Sequence, residues 1–368
     1  SLMQVIVAQN LANPHLSELS YSRTLVMQVK MGQITAKEAM GKAIRRYRNG
    51  VKKEISTARY DYRQLQTALL PFMNFFYLND LSDVSYRRKR SAVKRMYRDI
   101  ITIYHHRLDQ QMENSYVKYL NILATYPRAI KYLKEEERIR NLNELNVATQ
   151  VTTYAHSVHV AMIAKKLMEG ILAYQPDLLG GALGERHHGK VFLDPKECLN
   201  FIYQAALYHD IGKNGIISVV NNDYRPLTDE EFSIIKTHPA LGAELLKIAP
   251  SLYEKFRDTT LGHHKWYNGK GGYPEDFDNT KSPKRILIDI ITLSDCMQAA
   301  TERVGRNYKD GKTFDMVMEE FRRDAGTKYN PDLVKFIDSH EDVAHDLAVL
   351  VGDAWVDIYF SIYSKYMR

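Results

Sequence analysis

A chain of 368 residues with 45% hydrophobic and 26% charged side chains has enough apolar content for two domains of ordinary size, and its composition argues for a globular protein rather than a disordered one. Lys and Arg outnumber Asp and Glu by 51 to 44, giving a net charge of +7 that favours a negatively charged substrate or partner without naming it. No apolar run approaches the roughly eighteen residues of a membrane helix, Ser1–Gln4 lacks the pattern of a signal peptide, and Cys198 and Cys296 cannot make a disulfide framework; together these predict a cytoplasmic protein with no membrane span.

Residues 1–145 read as helical nearly throughout. Leu69, Leu70, Phe72, Met73, Phe75, Phe76 and Leu78 crowd one apolar stretch, and Tyr116, Leu120, Leu123, Tyr126, Ile130, Leu133 and Ile139 keep a stripe at helical spacing that Pro127 should interrupt. The basic groups Arg45-Arg46-Tyr47-Arg48, Lys52-Lys53, Arg87–Arg90, Lys94-Arg95 and Arg98 read as solvated helix faces in preference to a nucleic-acid grip, and His105-His106 as surface. This part is expected to be a separate module, either for packing and homodimerisation or for sensory input.

From about residue 146 a long helix carries Val147, Val151, His156, Val160, Ile163, Ala164 and Leu167, with His156 near its apolar side. The stretch 175–196, with Pro176, Gly180, Gly181, Gly184 and Gly189, reads as an exposed loop or lid, and its His187-His188 pair is not counted among the ligands. An apolar helix then ends in Tyr208-His209-Asp210-Ile211-Gly212-Lys213. Neighbours on a helix point about 100° apart, so His209 and Asp210 serve one ion only where the helix is ending, and Gly212 is expected to supply that turn. Taken alone, a capped terminus with a solvated aspartate is the other reading.

Thr228-Asp229-Glu230-Glu231 has the form of a capping box, expected to start the helix that delivers His238, with Pro239 aiming the ring outward. His263-His264 follow, and a helix from Pro283 brings Asp295, with Cys296 beside it as core. Imidazole and carboxylate together suit divalent transition metals, and one carboxylate can bridge a pair of ions.

These residues, in this order, resemble the HD superfamily of metal-dependent phosphohydrolases and its HD-GYP branch. The resemblance runs through His209-Asp210-Ile211-Gly212-Lys213-Asn214-Gly215-Ile216, Pro226–Glu231, Ile235–Pro239 with Gly242, His263-His264, Asn268-Gly269, Gly272-Tyr273-Pro274, Arg285–Leu287, Asp295 and Asn330–Val334. It implies an all-α chain: a helical HD-domain bundle over 146–368 behind the N-terminal helical domain 1–145. One ion would be held by His156, His209, Asp210 and Asp295, and a second by Asp210, His238, His263 and His264. The cofactors implied are two divalent transition-metal ions, Fe or Mn ahead of Zn, Ni or Mg.

By the same resemblance, a hydroxide shared by the ions attacks phosphorus in line. Asp210 and Lys213 are the catalytic pair, while Lys213, Gly272, Tyr273 and Pro274 contact the substrate, a cyclic dinucleotide with cyclic di-GMP first. The alternatives are hydrolysis of another nucleotide or phosphate ester, or a metal-holding signalling module that mainly binds a protein partner. Four positions depart from the family pattern. His159 stands where arginine is common, Lys265 where glutamate is, Gly271-Gly272 adds a residue, and Thr152 replaces the carboxylate used for a third ion. The expected metal ligands are untouched; the loop around Lys265 bears on the substrate pocket and the partner surface.

Overall fold

The computed structural model describes residues 1–55, 82–107, 127–149, 151–187, 190–216, 226–302, 311–352 and 354–366. Contacts divide the chain into two units, Ser1–Ala148 and Thr149–Arg368. The regular elements among the described residues are helices apart from one short hairpin.

The N-terminal unit holds α1 (Leu2–Ala12), α2 (Glu18–Lys30), α3 (Ala36–Ile55), α4 (Tyr86–Arg107), a single turn at Pro127–Ile130 and α5 (Glu135–Thr149), which runs to the boundary. Ser17 caps α2 by accepting from the Ser20 amide. In α3, Ala39, Met40, Ala43 and Tyr47 are buried, and in α4 Ala92, Val93, Met96 and Tyr97 are; both sets recur at the three-to-four-residue period of one helix face. The Tyr47 hydroxyl donates to Asp99 at 2.7 Å. Part of the basic run on α4 is spent internally: Arg90 and Lys94 meet Glu137 of α5 at 2.6 and 2.8 Å. Burial works against that carboxylate, but Lys94, the Lys134 amide and Arg90 lower its pKa to about 2. The apolar cluster Leu69–Leu78, the start of the stripe at Tyr116–Tyr126 and the side chains of His105 and His106 lie outside the described residues. Ile130 and Leu133, from the end of that stripe, are buried.

The second unit is built around α6 (Val151–Tyr174). Apolar or small residues occupy all its faces, with Ala155, Val160, Ala161, Ile163, Ala164, Leu167, Met168 and Ile171 buried, the pattern of a core helix rather than a surface one. After a 3-10 turn at Pro176–Leu179, β1 (Glu185–His187) pairs antiparallel with β2 (Lys190–Phe192), where a loop was expected. His188 and the side chain of His187 lie outside the described residues. Then come α7 (Pro195–Tyr208), α8 (Asp229–Ile235), α9 (His238–Leu246), α10 (Pro250–Gly262), α11 (Arg285–Thr301), α12 (Phe314–Arg323), α13 (Pro331–Ser339), α14 (Glu341–Val351) and α15 (Ala354–Tyr366). Helices α7, α11, α14 and α15 all pack on α6, while α10 lies against α7, α9 and α11. Among the described residues no single helix is long and apolar enough to cross a membrane.

The helix expected from residue 146 is described up to Thr149 in α5 and from Val151 in α6, with Gln150 outside the described residues. Two sequence expectations need correction. The Thr228 capping box is present, but α8 stops at Ile235, and His238 is the first residue of α9, with Pro239 in the first turn where its missing amide hydrogen costs nothing. Gly212 lies within a 3-10 turn, Ile211–Ile216, and is not among the glycines with positive φ. What it provides is proximity: a Cβ there would sit 1.9 Å from the His238 carbonyl oxygen and 2.5 Å from the Gly242 nitrogen.

One buried carboxylate away from the histidines sets a pH dependence. Asp289 of α11 accepts from Asn330 Nδ2 at 2.8 Å, and burial pushes its pKa up to about 6 against the opposing pull of Asn330 and Arg285. A carboxyl whose folded pKa is raised binds its proton more tightly in the folded state, so this contribution falls away as pH rises from about 4 to about 6. Asp289→Asn is therefore expected to gain on the wild type across that window, by roughly 2–3 kcal/mol once complete. Urea unfolding of both proteins at several pH values between 4 and 7 checks it; a difference that does not change with pH overturns the assignment.

Candidate metal centre

The expected ligands come together in the second unit. His156 projects from α6, His209 and Asp210 follow the end of α7, His238 opens α9, His263 and His264 follow α10, and Asp295 lies on α11. His209, His238 and His263 have no exposed surface, and Asp210 is buried. Asp210 faces two ways. Its Oδ2 lies 3.3 Å from His156 Nε2 and 3.5 Å from His209 Nε2, while its Oδ1 lies 3.1 Å from His238 Nε2 and 3.8 Å from His263 Nε2. Asp295 Oδ1 is 3.2 Å from His156 Nε2 and 3.8 Å from His209 Nε2, and its Oδ2 is 3.8 Å from His264 Nδ1.

Among the described residues, three groups of side chains have ligand atoms close enough to share an ion: Asp210, His238, His263 and His264; His156, His209 and Asp210; and His209, His263 and Asp295. Asp295 thus stands beside His156 and His209, as the sequence suggested, and within reach of His263 as well.

The rings are aimed by their own chain. His209 Nδ1 donates to the Ala206 carbonyl at 2.5 Å, His238 Nδ1 to Ile235 at 2.6 Å and His263 Nδ1 to Thr260 at 2.8 Å. A carbonyl only accepts, so each Nδ1 carries the hydrogen and each ring turns its Nε2 inward. His238 Nε2 and His263 Nε2 consequently meet at 3.1 Å. His156 Nε2, His209 Nε2 and Asp210 Oδ1 are buried with no hydrogen-bond partner among the described residues. Converging imidazole lone pairs and carboxylate oxygens of this kind fit divalent transition-metal ions.

The electrostatics agree. Burial alone would raise Asp210, but Lys213, His209, His156 and His238 hold it well below the usual carboxylate range, and Asp295 is held down in the same way by His156 and His209. Burial and the neighbouring rings push His263 far down, and burial brings His264 to about 3. For His156 burial is outweighed by Asp210 and Asp295, which raise it to about 9.

Lys213, on the 3-10 turn, donates from Nζ to Asp210 Oδ2, so the expected phosphate contact is an ion pair with the central carboxylate. The loop after His264 folds back on it. Lys265 bridges to Gly272, the Trp266 amide donates to Gly271 at 3.1 Å and the Tyr273 amide to the His264 carbonyl at 3.3 Å. Gly272 has φ of 76°, and a Cβ would lie 1.9 Å from the His264 oxygen, so only glycine closes this turn. The additional residue, Gly271, lies under the Trp266 indole, where a Cβ would come within 2.4 Å. Tyr273 packs its ring 4.5 Å from that of His264 and edge-on to His238, and Pro274 follows it across a cis peptide bond. Lys265 itself is buried. Cys296, beside Asp295, has its thiol pushed up to about 12 by burial, in keeping with a core role.

Sequence reasoning did not find Gln298, whose Oε1 lies 2.5 Å from His156 Nδ1. Its position one helical turn after Asp295 was the available signal. His159, standing at the family's arginine position, is buried, donates from Nε2 to the Leu350 carbonyl at 2.8 Å and takes no place among the ligands.

Fold and site together define a helical cluster of histidines and aspartates that could hold metal ions. Residues 153–300 match the HD domain family, and this part of the chain is an HD domain. Two proteins called cyclic di-GMP phosphodiesterase are similar to it. One, from Vibrio cholerae, is 29% identical over 143 residues, 37% of this chain and 28% of that protein; the other, from Thermotoga maritima, is 26% identical over 237 residues, 62% and 57%. A 3'3'-cGAMP-specific phosphodiesterase 2 from Vibrio cholerae is 27% identical over 144 residues, 39% and 27%. The chain therefore spans between about a quarter and just over half the length of these relatives.

Proposed function

We propose that the second unit is a two-metal phosphodiesterase that opens a cyclic dinucleotide, with cyclic di-GMP the first candidate. The observation that carries this reading is Asp210, a buried carboxylate with one oxygen turned to His156 and His209 and the other to His238 and His263. His156, His209, Asp210 and Asp295 would hold one ion, and Asp210, His238, His263 and His264 the other. Bound there, the ions supply Lewis acidity toward phosphoryl oxygens and a water acidic enough to act near neutral pH; Mn or Fe suits this mixed imidazole–carboxylate set.

The remaining chemistry belongs to side chains. Lys213, partly exposed, balances charge at Asp210 and can offer its ammonium to a non-bridging phosphate oxygen. Tyr273 is kept a neutral phenol by burial, with Asp295 and Asp210 adding to the effect, and so remains a hydrogen-bond donor beside His264. Gly272 and Pro274 hold that ring in place as the wall of the substrate pocket. The names of the similar proteins favour a cyclic dinucleotide over a simple ester.

A signalling module that holds metal and binds a protein partner is the second reading, favoured by Lys213 being committed to Asp210 and by the buried Lys265 at the start of the altered loop. Protein loaded with Mn or Fe should linearise cyclic di-GMP when offered beside 3'3'-cGAMP and simple phosphate esters, with products separated by chromatography. Turnover of 3'3'-cGAMP alone moves the substrate within the class. Turnover of simple esters alone removes the cyclic-dinucleotide assignment, and binding without turnover makes the second reading the better one.

A further inference from the structure

The residue that selects the tautomer of His156 lies outside the ligand set. Gln298 is buried on α11, one turn beyond Asp295. Its carboxamide has an acceptor end and a donor end, and hydrogen-bond polarity around it assigns which is which. On one side His159 presents Nδ1 at 3.4 Å from Gln298 Nε2, and its Nε2 faces the Leu350 carbonyl at 2.8 Å. The carbonyl only accepts, so the His159 hydrogen is on Nε2 and its Nδ1 is an acceptor. Burial lowers the pKa of His159 and keeps the ring neutral. On the same side the Glu302 carboxylate accepts from Gln298 Nε2 and from the Tyr359 hydroxyl, the latter at 2.7 Å. Two acceptors therefore hold the amide nitrogen, and the oxygen has one direction left, toward His156 Nδ1 at 2.5 Å.

An oxygen there requires the hydrogen on His156 Nδ1 and leaves Nε2, which faces Asp210 and Asp295, as the nitrogen that can give up its proton and offer a lone pair to an ion. The other buried ligand rings obtain this orientation from a backbone carbonyl three residues earlier. His156 sits mid-helix in α6, where the carbonyls of the preceding turn are already engaged by the helix, and takes it from a side chain instead.

We propose that Gln298, oriented by His159 and Glu302, is a positioning residue that fixes the metal-binding tautomer of His156. The proposal rests on the two-ion reading of the centre. It also assigns a use to His159: an arginine carries no acceptor and could not hold the Gln298 amide in this sense.

The test uses the full-length protein and metal content as its main readout. After loading with Mn and dialysis against a weak chelator, wild type should retain two ions per chain. Gln298→Met, close in volume but without the acceptor, should weaken the ion at His156 and His209 by about 10–100-fold, the cost typical of removing such an outer partner, and retain one. Gln298→Glu keeps an acceptor oxygen for His156 Nδ1 and, sharing a proton with Glu302, should restore the second ion. In zinc-loaded wild type, nitrogen NMR of the imidazoles should show His156 protonated at Nδ1, a measurement that needs no variant to fold. Gln298→Met holding both ions at wild-type affinity, or a hydrogen on His156 Nε2, would overturn the role of Gln298 alone. Wild type holding fewer than two ions would overturn the two-ion reading and the proposal with it.

Discussion

Replacing Asp210 by alanine is expected to empty the centre of metal and take hydrolysis below detection, the largest functional effect of any single substitution in this chain. In the proposed arrangement Asp210 is the ligand shared by both halves, its two oxygens lying 3.1–3.5 Å from the Nε2 atoms of His156, His209 and His238. Without it the His156 half keeps only Asp295 as a carboxylate, and the His238 half keeps three imidazoles, with Asp295 reaching it only at 3.8 Å from His264. The loss of Lys213's partner is milder because that ammonium reaches solvent. Elemental analysis should fall from two ions per chain toward none, with helical content by circular dichroism retained. Asp210→Asn, which keeps shape but removes charge, should bind no better than one ion. Retention of both ions by either variant would sink the bridging role.

The largest loss of stability is expected from Gly212→Ala. The added carbon would stand 1.9 Å from the His238 oxygen, 2.8 Å from the His238 carbonyl carbon and 2.5 Å from the Gly242 nitrogen, all of them backbone atoms that no rotamer change can clear. The 3-10 turn and the start of α9 must move apart, and Gly242, whose own Cβ would meet Thr260 at 2.8 Å, leaves little room on the far side. Overpacking against backbone should cost at least about 3 kcal/mol, or on the order of 10 °C in melting temperature for a unit of this size. Because His238 is carried on the displaced segment, the ion opposite His156 should be lost as well. Gly215→Ala provides the control on the same turn: its nearest neighbour is the Leu241 side chain at 3.4 Å, an ordinary contact, and stability should change by less than about 0.5 kcal/mol. Equal melting temperatures for the two variants would remove the packing account of Gly212.

The helical architecture was legible in the sequence from local chemistry, whereas the set of seven ligand candidates came from the family resemblance, which the HD pair alone would not have supplied. Imidazoles and carboxylates standing at the ends of apolar runs announce themselves, and so does the Thr228–Glu231 box, whose two reciprocal hydrogen bonds are both formed. Features that depend on what approaches from elsewhere in the chain were not legible. Gly212 looks like a turn residue in one dimension and is a contact residue in three. The break between α8 and α9 consists of only Lys236 and Thr237, too short an interruption for a periodic pattern to register. Gln298 has no chemical label of its own, and its meaning comes from His156, which is 142 residues away in sequence. The added glycine of the loop was visible, but only the packed indole of Trp266 explains why a glycine stands there.

His209, His238 and His263 each donate to the carbonyl three residues behind them, at a helix end where the last carbonyls are open to side-chain donors. Each ligand is therefore a self-contained tetrapeptide, with its aim set by its own helix end. The segments joining these tetrapeptides can lengthen, shorten or change composition while the lone pairs continue to point to one spot. Such modularity separates two demands that conflict in many enzymes: the inorganic part of the site stays constant, while the walls that choose an organic substrate are free to diverge. The altered loop of this chain, with Lys265 and Gly271, sits on the variable side of that division.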